Sequence, residues 1–251
     1  MKEVFFLTGL PRAGNTLFSC LINNNKHIKA TANTVLSDVI YQLNMIKDYD
    51  MFHNFPDHRS LNNIIHSTFV NYYKDWGCDY IIDRGPWGTP SNLFFLKQII
   101  KKPKFIVLYR PVLECLASLI KIEKPKNIEQ RCHALMQLNE GKQGPRVGIL
   151  AKYLWSIKNI IKEKEEHIVV DYDDFIDNPK KTIKKISNFI EVPLRFNNKL
   201  EQFNVNGLYY KDEIYGFPLH AIRTKKIKRE KYSIEQVLPK SIIKEYGDLD
   251  I

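Results

Sequence analysis

Short apolar segments alternate along the chain with longer segments in which apolar residues recur every three or four positions. The short segments have the length of buried strands, whereas the spacing in the longer ones is typical of helices with one buried face. Strands are predicted over 4–7, 80–82, 105–109 and 167–170. Because strands that alternate with helices are typical of parallel sheets with crossover connections, the sequence predicts an α/β fold with a central parallel sheet flanked by helices.

The helices are predicted from the recurrence of apolar residues and from capping residues. The first begins after a glycine-bounded turn just past residue 14, and the others are expected around 35–43 and 61–69, from about 90 to 101, and over 112–121, 127–138, 149–164 and 183–190. Loops are predicted for 50–59, where Pro56 interrupts any helix, and for the glycine-rich stretch 140–145. No repeat or low-complexity linker divides the chain, so a single domain, 1–251, is expected.

Gly9 and Gly14 bound the turn between the first strand and the first helix. Backbone N–H groups in such a turn, together with the first N–H groups of a helix, bind an oxyanion. The two glycines and Thr16 fit the spacing G-x-x-x-x-G-K-[ST] of nucleotide kinases, but Asn15 stands where that motif has its lysine. Arg12 is the cation of the turn, so the loop is better suited to an anion other than a triphosphate. A kinase or other nucleoside-triphosphate enzyme remains an alternative.

Two further arginines follow predicted strands. Arg84 comes directly after strand 80–82, and Arg110 directly after strand 105–109. The carboxyl ends of parallel strands meet at one edge of the sheet, where ligands bind in open α/β folds. We therefore expect Arg12, Arg84 and Arg110 to converge, although about a hundred residues separate the first from the last.

The residues of these segments resemble the sulfotransferases that use 3′-phosphoadenosine 5′-phosphosulfate (PAPS) as sulfuryl donor. The turn is similar to the family's 5′-phosphosulfate loop, and Arg110, followed eight residues later by Ser118, is similar to its 3′-phosphate site. A third segment around Tyr172 is similar to one that borders the 3′-phosphoadenosine pocket. The resemblance covers most of the chain and implies the parallel sheet already predicted from the pattern.

The resemblance implies a set of residues that bind PAPS as co-substrate and release adenosine 3′,5′-bisphosphate (PAP). They are Pro11, Arg12, Ala13, Gly14, Asn15, Thr16, Leu17, Arg110, Ser118, Tyr172 and, in a late basic stretch that would close over the 3′-phosphate, Arg223. Trp155 is expected near this pocket or in the core, and the core is the favoured interpretation. The polar stretch 23–79 is expected to form a helical insertion on the acceptor side.

Sulfuryl transfer, like phosphoryl transfer, needs in-line attack and neutralisation of the charge that builds on the leaving phosphate oxygen. Arg12 is predicted to stabilise that oxygen, and Arg84 to contact the sulfuryl group or the acceptor. The general base is open between Asp38, Asp83 and His220; His220 is attractive because an imidazole titrates near neutrality. The acceptor is expected to be a hydroxyl or amine compound, and the reaction is expected to need no metal ion.

Charge and composition narrow the expected partners and location. The chain has 38 Lys+Arg against 28 Asp+Glu, a formal charge of +10, which favours an anionic partner. A non-catalytic relative that binds nucleotides or polyanions is thus a second alternative, although no nucleic-acid-reading motif is evident.

No apolar stretch is long enough for a membrane span and no signal peptide is evident, so a cytoplasmic protein is expected. The four cysteines are expected to be free thiols.

Overall fold

Five parallel strands form the central sheet of the protein. The computed structural model describes residues 2–141, 144–205, 207–222, 226–229, 233–249 and 251. The strands of the sheet are β1 (Glu3–Leu7), β2 (Ile28–Ala30), β3 (Tyr80–Arg84), β4 (Phe105–Tyr109) and β7 (His167–Asp171), in the order β2-β3-β1-β4-β7. A separate antiparallel hairpin consists of β5 (Leu138–Gly141) and β6 (Gly144–Val147). The predicted α/β class with a parallel sheet is confirmed.

Helices cover both faces of the sheet. They are α1 (Asn15–Ile22), α2 (Leu36–Met45), α3 (Asp50–Asn54), α4 (His58–Tyr72), α5 (Pro90–Ile99), α6 (Val112–Glu123), α7 (Ile128–Met136), α8 (Ile149–Lys162), α9 (Tyr172–Asp177), α10 (Pro179–Ile190) and α11 (Lys240–Tyr246). Single turns of 3-10 helix lie at 46–48, 212–215 and 234–236. Within the described part of the chain, no helix is both long and apolar enough to cross a membrane.

The alternation of side chains along β1 explains why its sequence is apolar throughout. Phe5 and Leu7 lie in a core with apolar residues of α1, α6 and α10, whereas Val4 and Phe6 lie in a second core with α2, α4 and α5. Successive residues of a strand point to opposite faces, so a strand between two helical layers needs apolar residues at every position.

Two local predictions are wrong, and one short strand was not predicted. The short strand β2 was not expected within 23–79; it has three residues, the middle one a lysine, and pairs with β3 at the edge of the sheet. The predicted loop 50–59 contains α3 and the start of α4, with Pro56 between the two helices. Of the predicted loop 140–145, residues 140–141 belong to β5 and residues 144–145 belong to β6. Each element is short, and short elements give little periodic signal.

Two predictions about single residues have opposite outcomes. Trp155 is 46% exposed, so its interpretation as a core residue is wrong. The buried face of α8 is formed by Leu150, Tyr153, Leu154 and Ile157, and Trp155 projects from the other side of the helix. The prediction of free thiols is confirmed, because all four cysteines are buried and unpaired.

Candidate active site

The turn between β1 and α1 is held in a conformation that few sequences adopt. Gly14 caps α1 with φ 87°, in the left-handed region, and a Cβ atom there would lie 3.3 Å from the Tyr172 ring. Glycine meets both demands, the backbone angle and the close approach. Arg12 also has a positive φ of 75°, which costs an L-residue on the order of 1 kcal/mol. Such strain is typical of functional sites.

The Asn15 side chain closes the turn from inside. Its Nδ2 donates a hydrogen bond of 2.8 Å to the carbonyl oxygen of Leu10, and the residue is buried. A Cβ atom on Gly9 would lie 2.0 Å from Asn15 Oδ1, so Gly9 makes room for this amide. The residue that replaces the kinase lysine is thus part of the turn's own structure, and its backbone N–H, in the first turn of α1, is the group suited to an anion.

Arg12 and Arg110 meet at one end of the sheet. Arg110 Nη1 donates to the backbone oxygen of Arg12 at 3.1 Å, and Arg12 Nε donates to the Ser118 hydroxyl at 3.2 Å. Arg110 also binds Glu114 at 2.9 Å and lies 4.2 Å from the centre of the Tyr172 ring. The structure therefore brings together residues that the sequence separates by about a hundred positions, as expected from the parallel topology.

These residues line a cavity of about 1020 Å³. Of the residues predicted for the site, it is lined by Pro11, Arg12, Gly14, Asn15, Thr16, Leu17, Arg84, Arg110, Ser118, Tyr172 and His220. Ala13 does not line the cavity, because its side chain is packed in the core with α1 and α6. Arg223 lies outside the described residues.

Arg84 lies deep in the cavity wall. Its Nη1 donates to the backbone oxygen of Ala32 at 3.2 Å, its Nη2 donates to that of Gly9 at 3.1 Å, and the guanidinium stacks over Tyr153 at 4.2 Å. The residue is only 7% exposed. Arg84 thereby fixes the start of the β1–α1 turn relative to β3, in addition to placing positive charge beside the cavity.

The three candidate bases lie in different environments. Asp38 is exposed, forms an ion pair of 2.9 Å with Lys152, and does not line the cavity. Asp83 is fully buried beneath the sheet edge, where it accepts hydrogen bonds from Thr34 and Trp87, and burial raises its pKa. Of the three, His220 alone faces the cavity.

His220 is held by groups from its own segment. Its Nδ1 lies 2.8 Å from Asp212 Oδ1, and its ring stacks on Tyr210 with 4.6 Å between centroids. The Tyr210 hydroxyl accepts hydrogen bonds from the N–H groups of Ala32 and Asn33, which ties this segment to the loop after β2. Burial lowers the pKa of His220, and the hydrogen bond to Asp212 opposes that shift.

Sequence reasoning did not find Asp212 or Tyr210. Both lie in an irregular segment between α10 and α11, where neither helical nor strand periodicity identifies partners. An acidic residue eight positions before a histidine is too common a spacing to indicate contact. The tertiary structure was needed to show that they surround His220.

The late basic segment, residues 226–229, also lines the cavity. Lys226, Lys228 and Arg229 line it, and Arg229 Nη2 forms ion pairs of 3.0 Å with Asp173 and 2.9 Å with Asp177. Both carboxylates belong to α9, the helix that begins with Tyr172. This contact places a basic segment close to the Arg110 end of the site.

The parallel sheet and the glycine-capped turn after β1 define an α/β protein of the P-loop-like class. A family model described as "Sulfotransferase family" matches residues 5–196, which is most of the chain. The chain belongs to the sulfotransferase family. No curated protein sequence matches it.

Solved structures of sulfotransferases share this fold. The sulfotransferase domain from the curacin biosynthetic pathway has a TM-score of 0.51 at 12% identity, covering 100% of this chain and 92% of that chain. The sulfotransferase domain of the Synechococcus PCC 7002 olefin synthase has a TM-score of 0.55 at 12% identity, with coverages of 100% and 89%. A sulfotransferase from Alicyclobacillus acidocaldarius has a TM-score of 0.53 at 12% identity, with coverages of 81% and 87%. At these identities the likeness concerns the fold alone.

Proposed function

We propose that this protein transfers a sulfuryl group from PAPS to a hydroxyl or amine acceptor. The observation that supports this most directly is the junction of Arg12 with Arg110 beside a single cavity of about 1020 Å³. PAPS carries anionic groups on both sides of its ribose. Two arginine-bearing loops that meet at one sheet edge fit that distribution of charge.

The donor would lie along the sheet edge with its 5′ side at the β1–α1 turn. There the backbone N–H groups at the start of α1, the Thr16 hydroxyl and Arg12 suit the phosphosulfate. The 3′-phosphate would lie at the mouth of α6, beside Arg110 and Ser118. The Tyr172 ring, which stacks with Arg110, would border the nucleoside.

Arg12 would act on the leaving group. When the bond between sulfur and the bridging phosphate oxygen breaks, negative charge accumulates on that oxygen, and a positioned guanidinium with backbone N–H groups stabilises it. Arg84 would hold the turn in place and add positive charge near the sulfuryl group. His220 would serve as the general base, because it faces the same cavity.

A kinase function is less well supported. The amide of Asn15 is bound to the carbonyl oxygen of Leu10, so no cation occupies the place from which the kinase lysine reaches the outer phosphates. We therefore expect stronger binding of a nucleotide with phosphates at both ribose positions than of a triphosphate.

Calorimetric titration of PAP and of ATP tests the donor assignment. We expect PAP to bind more tightly than Mg-ATP, and Arg110→Ala to weaken PAP by at least about tenfold, since a charge-assisted contact is lost. Arg59→Ala is the matched control, because Arg59 is an exposed arginine of α4. Tighter binding of Mg-ATP, or equal PAP affinity in both variants, would contradict the assignment. Binding without transfer of ³⁵S from labelled PAPS to any acceptor would identify a non-catalytic relative.

A further inference from the structure

A carboxylate with both oxygens engaged holds His220 in place. Asp212 Oδ1 lies 2.8 Å from Nδ1 of the imidazole. Asp212 Oδ2 accepts the backbone N–H of His220 at 2.7 Å and that of Ala221 at 3.1 Å. The carboxylate therefore fixes the main chain at His220 and the ring of the same residue.

The rest of the segment is held equally firmly. Gln202 accepts the N–H of Ile222 at 3.0 Å and donates to the backbone oxygen of His220 at 3.1 Å. Arg12 Nη1 donates to the backbone oxygen of Leu219 at 3.2 Å. Leu219, just before His220, is thus tied to the β1–α1 turn, and Gln202 holds the main chain at and after His220.

The partner of Nδ1 determines which nitrogen can accept a proton. A carboxylate is an acceptor only, so Nδ1 must carry the hydrogen and Nε2 must hold the lone pair. No group in the described part of the chain is hydrogen-bonded to Nε2. The two side chains are only 13% and 15% exposed, so little water competes for their contact.

We infer that Asp212 is a positioning residue that keeps His220 in the tautomer with Nε2 available to take the proton of the acceptor. This inference rests on the proposed sulfuryl transfer and specifies its acceptor side. An alcohol or phenol becomes a strong nucleophile only as its proton is removed, so it gains most from a fixed base.

The groups around the imidazole keep it neutral. Burial lowers its pKa most, Arg84 of β3 and Arg12 of the β1–α1 turn lower it further, and Asp212 raises it. The rings of Tyr210 and Tyr215 pack against the imidazole, and burial raises the pKa of Tyr210 to about 12, so that phenol carries no charge near neutral pH. The balance is a pKa below the ordinary value of 6.5, so the base is in its working form at pH 7.

The proposed step conserves atoms and charge. The acceptor O–H proton passes to His220 Nε2, and the oxygen's electron pair forms the new bond to sulfur. The bond from sulfur to the bridging oxygen breaks, and its pair stays on the 5′-phosphate of PAP, next to Arg12. The resulting imidazolium is paired with the Asp212 carboxylate until the proton is lost to solvent.

Histidine NMR on the full chain tests the positioning role without an acceptor. With ¹⁵N-labelled histidine, we expect His220 to be the Nδ1–H tautomer at pH 7.5. In Asp212→Asn one amide oxygen can accept the two backbone N–H groups, which turns the amide NH₂ toward Nδ1 and selects the Nε2–H tautomer. Glu213→Gln is the control, because Glu213 is an exposed acid in the same turn, and it should leave the tautomer unchanged. An Nε2–H tautomer in the unmodified protein, or no change in Asp212→Asn, would overturn the inference.

Transfer from PAPS to phenols of graded acidity tests whether Asp212 supports the base. Asp212→Asn should lower kcat by about tenfold or more with phenol but by less than about threefold with 4-nitrophenol, which ionises without a base. An equal loss with both compounds would indicate a merely structural role and would overturn the inference. PAP titration separates these outcomes from failure of the proposed function. If the unmodified protein does not bind PAP, the proposed donor is rejected. If it binds PAP but His220 is the Nε2–H tautomer, only the inference about Asp212 is rejected.

Discussion

Arg12 combines a strained backbone with side-chain contacts to two distant parts of the molecule. Its φ of 75° turns the side chain toward α6, where Nε reaches Ser118, and toward the late segment, where Nη1 reaches Leu219. Without such contacts, nothing would offset the free-energy cost of this backbone conformation. The strain is tolerated because the β1–α1 turn is fixed by Asn15 and by Arg84 from below.

Arg12→Ala should abolish most turnover without unfolding the protein. The expected loss is about 10²–10³-fold in kcat, because charge on the leaving oxygen is no longer compensated. Kinetics with labelled PAPS measure the loss, and the melting temperature should stay close to that of Arg59→Ala. Normal turnover in Arg12→Ala would reject the role, and a melting temperature far below the control would show that the arginine acts on stability instead.

The pH dependence of transfer should follow the neutral form of His220. Because its pKa is lowered below 6.5, mainly by burial, the imidazole remains a base at pH 7 and becomes protonated only at more acid pH. We expect kcat/KM to be level near neutrality and to fall below about pH 6.5. The same protonation favours the unfolded state, so stability should also decline as the pH falls through this range. If kcat/KM already decreases while the pH is lowered toward 7, the assignment of His220 as the base is contradicted.

At the scale of the element, the β1–α1 turn is shaped by its own side chains. Asn15 bridges the turn to Leu10, Gly9 leaves space for the amide, and Gly14 leaves space for Tyr172. Replacing Asn15 by the lysine of the kinase motif would therefore remove the hydrogen bond to Leu10. The spacing of two glycines alone does not reveal this difference from a triphosphate-binding loop.

Asn15→Lys should destabilise the protein without creating an ATP site. The lysine cannot replace the bond to Leu10 and would place its charge in a buried position, which we expect to cost about 1–3 kcal/mol. Urea denaturation measures the loss, and calorimetry should show no gain in affinity for Mg-ATP. Asn62→Lys, at an exposed asparagine of α4, is the control. A stable Asn15→Lys variant that binds Mg-ATP tightly would show that one residue separates the two activities.

At the scale of the whole molecule, the site is assembled from segments far apart in the chain. The β1–α1 turn, the ends of β3 and β4, and the segment before α11 contribute Arg12, Arg84, Arg110 and His220 to one cavity. The described part of the segment between α10 and α11, which carries Tyr210, His220 and Arg229, contributes no strand to the central sheet. It is held against the sheet by hydrogen bonds at Tyr210 and by the ion pairs of Arg229 with α9.

Arg229→Ala should loosen the late segment over the donor site and leave the fold unchanged. The ion pairs with Asp173 and Asp177 are partly exposed, so their loss should alter unfolding free energy by less than about 1 kcal/mol. PAP affinity should fall by about twofold to fivefold, because the lining residues Lys226 and Lys228 lose their anchor. Titration at two salt concentrations measures this, with Lys158→Ala, on α8, as the control. An unchanged PAP affinity would show that the segment does not act on the donor.

The class of fold and the convergence of Arg12, Arg84 and Arg110 on one cavity could be predicted from the sequence. Buried strands and amphipathic helices leave strong local patterns, and a parallel sheet brings its strand ends to one edge whatever the loops do. Arg12, Arg84 and Arg110 could therefore be placed together from their positions alone. The short strand β2 and the β5–β6 hairpin left no such pattern, because a few residues carry too little periodicity.

The folded protein was needed to show that His220 lines the cavity whereas Asp38 and Asp83 do not, and to show the contact of His220 with Asp212. All three candidates have side chains suited to accept a proton, so the choice depends on burial and on which group faces the cavity. Those properties arise from contacts between distant segments, such as Tyr210 with the loop after β2. Local sequence patterns do not record such contacts, since an irregular segment is positioned by the surface on which it packs.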